Sequence, residues 1–179
     1  MKVSLFKLTL LASLIVAGTA IARANSPENE FSLKVTVVTS EHSRDSHATA
    51  TQLSVAGDTL RYEEHYYGAH ANRQEPIKKA YKLTIDDRDR LIALLKANGL
   101  LTTRTMANPI EPDGPSRDFQ LTITTGLDGR ESVISISASP TATKLKTDPL
   151  YQGSIALIAE LYRIINRIDR HVTFSNLIG

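Results

Sequence analysis

The 179-residue chain contains no cysteine. Without thiols it can form no disulfide, no cysteine-ligated zinc centre and no thiol-based catalytic site, so packing alone has to hold the fold. Catalytic signatures are equally scarce. There is no Gly-x-Ser-x-Gly, no His-Glu-x-x-His, no phosphate-cradling glycine loop and no dinucleotide-binding fingerprint, and no nucleophile stands beside an evident base. After Ala24, no apolar run approaches the about 20 residues that a spanning helix requires.

The segment up to Ala24 has its own logic. Lys2 and Lys7 supply a positive start, Leu8 to Ala20 an apolar stretch, and Ala22-Arg23-Ala24 a small-x-small cleavage site. These three parts read as a secretory signal peptide, cut after Ala24, and predict a soluble periplasmic or secreted protein. The export segment also carries three of the 21 basic residues, against 19 acidic ones in the whole chain. Without Lys2, Lys7 and Arg23 the formal balance turns to −1, and no basic excess argues for nucleic acid or an anionic membrane surface. Residues 25–179 fit a single domain, large enough to bury its own core as a monomer.

What the chain does have is clear patterning. Asp148 to Arg170 wound at helical pitch places Tyr151, Ile155, Leu157, Ile158, Leu161, Tyr162, Ile164, Ile165 and Ile168 on one half of the cylinder. Asp148 is a good N-cap, and Pro149 suits the first helical position. A shorter helix is predicted over Thr84 to Asn98, capped by Thr84 or Asp86, with Asp86, Asp87 and Asp89 at its positive end. Gly99 then closes it, and Leu91, Leu94 and Leu95 form its apolar stripe.

Strand signals fill the rest. Phe31 to Thr39 alternates apolar and polar residues. Gly57-Asp58 and Asp128-Gly129 are two-residue turn signals, each flanked by alternating arms. The first turn pairs Val55 with Leu60, Leu53 with Tyr62 and His47 with Gly68. The second pairs Ile123 with Ile134, Leu121 with Ile136 and Phe119 with Ala138. Either register collects the apolar side chains on one face, and a one-residue slip would scatter them. Ile77 to Leu83 reads as a further strand with Ile77, Tyr81 and Leu83 inward and the lysines outward. Leu101 to Arg117, with Pro109, Pro112, Gly114 and Pro115, reads as irregular. The tail from His171 to Gly179 is uncharged and is expected to lie back on the body. The expectation is an α+β fold: a largely antiparallel sheet of about five to six strands in the order β-β-β-β-α-β-β-α, with two helices packed on one face.

Two groups of residues are candidates for function. His42, His47, His65 and His70 flank two polar loops at one end of the first hairpin, with Asp45 nearby. Imidazole and carboxylate together suit zinc or copper, although neither His-x4-His spacing matches a zinc pattern. Arg61 and Tyr67 lie on the wet face of that hairpin beside His65, and Tyr and Arg are residue types that anchor protein interfaces. The reading is a non-catalytic binding or accessory module with a protein partner and no cofactor. A metal-binding protein or hydrolase using the histidine loops is the alternative.

Overall fold

The computed structural model describes residues 31–41, 47–68, 74–107, 117–138, 147–170 and 172. Seven strands, β1 (Ser32–Glu41), β2 (His47–Ala56), β3 (Thr59–Gly68), β4 (Ile77–Lys82), β5 (Arg104–Ala107), β6 (Arg117–Leu127) and β7 (Arg130–Ala138), form one sheet. Two helices, α1 (Ile85–Ala97) and α2 (Pro149–Ile168), complete the fold. The strand order is β4-β3-β2-β1-β6-β7-β5, so β1 joins the two hairpins at the centre of the sheet.

Both hairpin registers are those that the turn residues dictate. Val55 faces Leu60, Leu53 faces Tyr62 and His47 faces Gly68; Ile123 faces Ile134, Leu121 faces Ile136 and Phe119 faces Ala138. The first turn has Gly57 at φ +60°, and the second has Asp128 at +52° and Gly129 at +72°. Left-handed backbone of this kind matches the right-handed twist of the arms and is easiest for Gly and Asp. The pleat then sends Leu33, Val35, Val37, Leu53, Val55, Leu60, Leu121, Ile123, Ile134 and Ile136 to one face, all fully buried.

The helices roof that face. Leu157, Ile158, Leu161, Ile164 and Ile165 of α2 and Leu91 and Leu95 of α1 share one core with the strands. Each such side chain stabilises the fold by about 1.5–3 kcal/mol on burial. The two helices run in opposite directions. Asn98, the C-cap of α1, lies so close to Gly153 near the start of α2 that a Cβ there would sit 2.6 Å from Asn98 Cβ. At the other end, Asp87 of α1 meets Arg167 of α2. Thus α1 carries the chain from the β4 edge to the β5 edge, and α2 brings it back, ending with Asp169 against Lys79 of β4.

The caps follow local chemistry. Thr84, not Asp86, caps α1: its hydroxyl accepts from Asp87 N while Asp87 accepts from Thr84 N, a reciprocal capping box. At the other end, Leu100 N donates to Leu95 O at 2.9 Å in the Schellman arrangement. Asp148 accepts from Leu150 N and Tyr151 N at the start of α2, and the Ser154 hydroxyl donates back to Leu150 O.

Four details differ from the sequence reading. Residues 104–107, within the stretch expected to be irregular, form the short strand β5, paired parallel to β7. The sheet therefore has seven strands in the order β-β-β-β-α-β-β-β-α. Four residues are too few for alternation to declare itself, and a parallel partner leaves no turn signal. Ile168 is 51% exposed, because α2 ends there and the chain turns away. Ile77 is also exposed, at the start of edge strand β4. Lys79 shares the helix-covered face with Tyr81 and is held by Asp169, so only Lys78 and Lys82 take the outward positions. Val172 is buried in the core; the remainder of the tail after it, and Pro109, Pro112, Gly114 and Pro115, lie outside the described residues.

Candidate binding surface

The second face of the sheet is built by the same pleat that makes the core. On β3 it carries Arg61, Glu63, His65 and Tyr67 in succession, and Tyr67 is 51% exposed. The ladder pairings extend each of these into a row across the strands. One row runs Ala80, Arg61, Ser54, Lys34, Thr124 and Val133. The next runs Lys78, Glu63, Gln52, Thr36, Thr122 and Ser135. A third contains His65, Ala50, Val38, Gln120 and Ser137. No described helix lies over these rows, since α1 and α2 share the core on the other face.

The charges on this face are uneven. Lys34, Arg61, Lys78 and Lys82 are exposed, and of the four only Lys82 has an ion pair among the described residues, a loose one to Asp58 at 3.6 Å. Glu63 is 3.5 Å from His65 Nε2 and faces Lys78 in the ladder. Glu131 stands at the far side, opposite Gly126. Ala80 and Ser54, the neighbours of Arg61 on either side, are too small to screen it.

Of the histidine group, His65 is the member whose side chain is described; it sits half-buried on β3, paired with Ala50 as the hairpin register requires. His47 opens β2 opposite Gly68, with its side chain outside the described residues. His42, Asp45 and His70 lie outside the described residues altogether. Among the described residues no three histidines or carboxylates gather in a metal-holding group.

Two polar networks on the covered face were not foreseen. Tyr62 donates its hydroxyl to Glu64, and its ring meets Tyr162 edge to face at 6.1 Å. Burial, reinforced by Glu64, raises the Tyr62 phenol well above its ordinary range, and burial likewise raises Tyr162, whose hydroxyl also meets Tyr62 and Thr51. Tyr66, through burial and its own bond to Glu64, is pushed up to about 12. All of these hydroxyls are therefore neutral donors at ordinary pH, which is what a buried tyrosine needs to hold a carboxylate. Placing Tyr62, Glu64 and Tyr66 on one face needs only the period of two, whereas the arrival of Tyr162 has no sequence signal.

The second network ties the helices together. Asp87, only 2% exposed, accepts from both terminal guanidinium nitrogens of Arg167 at 3.0 and 2.6 Å and from the Thr84 hydroxyl at 2.7 Å. Burial pushes its carboxyl up, but the hydrogen bonds from Arg167 and Thr84 outweigh that and hold it at about 2. Arg163 clamps Glu160 and approaches Asp87 at 4.0 Å. This is helix-to-helix fastening, and of the acids at the start of α1 it is Asp87 that has that role.

No protein-family model matches this chain, and no curated protein matches it either.

Proposed function

We propose that this chain is an exported, non-catalytic binding module that recognises a protein partner through the open face of its sheet. The observation that carries the reading is the division of the sheet into one face committed to the core and one face left as surface. On the latter, Arg61 and the half-exposed Tyr67 stand on a single rigid strand. The backbone of a paired strand is already ordered before binding, so only side-chain freedom remains to be lost, and Tyr and Arg are the types that contribute most at protein interfaces. The N-terminal segment supports delivery to the periplasm or the exterior.

The test is comparative capture. The exported chain and its Arg61→Ala/Tyr67→Ala variant are immobilised and exposed to the periplasmic fraction of the producing cell. A protein retained by the wild type and lost from the variant supports the reading. Equal retention by both overturns it.

A second reading, a zinc or copper site using His42, His47, His65, His70 and Asp45, is favoured by one contact, that of His65 with Glu63, since carboxylate-oriented imidazole is a common metal ligand. Under that reading submillimolar zinc raises the melting temperature, and the rise disappears in His42→Ala/His47→Ala. An unchanged melting temperature removes it.

A further inference from the structure

The open face also indicates what chemistry its partner presents. We infer that this face docks an acidic protein surface, with the cations of β4, β3 and β1 as the electrostatic contact; the inference rests on the reading of the open face as the binding surface.

Three observations carry it. The first is segregation. The chain after Ala24 has a formal charge near zero, yet β4, β3 and β1 set four cations on this face against Glu63, which faces Lys78, while the other acidic positions of the face, 118 on β6 in the row of Tyr67 and 131 on β7, lie farther off. The second is spacing. Arg61 and Lys34 occupy the same row two strands apart, about 10 Å, while Lys78 and Lys82 flank Ala80, the β4 partner of Arg61, about 7 Å to either side along the strand. Such a quartet is not satisfied by one small anion; it fits several carboxylates spread over a surface. The third is area. Seven strands of 4 to 11 residues, at about 3.3 Å rise per residue and about 4.8 Å spacing, present on the order of 900 Å², close to the share each partner contributes to a standard protein–protein interface.

The filling between the cations suits a protein as well. Ser54, Thr36, Gln52 and Thr122 offer hydroxyl and amide groups that can both donate and accept, so backbone and carboxamide groups of a partner can be matched without leaving a charge unpaired. Complementary charge of this kind speeds encounter and excludes basic partners, and both effects fade as salt screens them.

The experiment uses the full exported chain with poly-L-glutamate as an acidic polypeptide probe and polygalacturonate as an acidic polysaccharide of matched charge. Binding is measured at about 50 mM and about 300 mM sodium chloride, a range over which the screening length falls to about half. The expected result is preferential binding of polyglutamate, weakened about tenfold or more by salt and by Lys34→Glu/Arg61→Glu. Lys96→Glu/Arg170→Glu, an equal charge change at exposed sites off this face, leaves it intact. Failure to bind polyglutamate, equal loss in both double variants, or stronger binding to polygalacturonate each overturns the inference. None of these outcomes touches the capture experiment, so the acidic chemistry can fail while the open face stands as a binding surface.

Discussion

The two faces of this sheet are made from the same strands and differ only in the parity of their residues. On β1, Leu33, Val35 and Val37 are sealed under the helices while Lys34 and Thr36 alternate with them on the surface. On β3, Leu60 and Tyr62 are buried while Arg61 and Tyr67 are exposed. The covered face holds the molecule together, and substitutions there act on stability. The open face is spared that task, so its composition is free to serve recognition. A sheet with one wet side is thus a platform whose binding residues can change without altering the fold.

The comparison can be broken most forcefully from the covered side. Leu157, fully buried on the inward face of α2, is expected to cost about 3 kcal/mol of unfolding free energy when replaced by alanine, through lost burial plus the cavity left behind. Urea unfolding measures this, and a cost below about 1 kcal/mol would mean that the roof of the sheet is loosely packed.

A smaller effect comes from the fastening between the helices. The Asp87 carboxyl is held at about 2 in the folded chain, below its ordinary 3.8. Its ionised form is therefore bound more tightly in the folded state, so the stabilisation is complete above about 4 and is lost as pH falls toward 2. The expected contribution is about 2 kcal/mol at neutral pH. Asp87→Asn should lower neutral-pH stability by about that amount and flatten the decline between pH 4 and pH 2; an unchanged acid profile would show that Arg167 does not engage it.

How much of this was legible beforehand follows from the range of each signal. The hairpins were readable to the residue because Gly57-Asp58 and Asp128-Gly129 fix the turn and alternation fixes the phase. The inward face of α2 was readable from its period, except at Ile168, where the helix ends. The pairings of β1 with β2 and with β6 were not, since no two-residue turn joins either pair, and with the first went the placing of Lys34 two strands from Arg61. Overall charge concealed the basic face for the same reason: a composition near neutrality says nothing about how the pleat sorts its charges. Asp87 could be placed at the start of α1, but its partner lies 80 residues further along. The hairpin register alone suffices to put Arg61 and Tyr67 on the wet face. The convergence of His42, His47, His65, His70 and Asp45 depends on loop paths that a register cannot supply.

The most direct measurement takes Arg61→Ala/Tyr67→Ala and determines unfolding free energy and partner capture on the same preparation. The account predicts stability within about 0.5 kcal/mol of wild type, as for surface positions away from caps and core, together with loss of the captured protein. Undiminished capture, or a stability loss near 2 kcal/mol, would contradict the separation of the covered face that folds from the open face that binds.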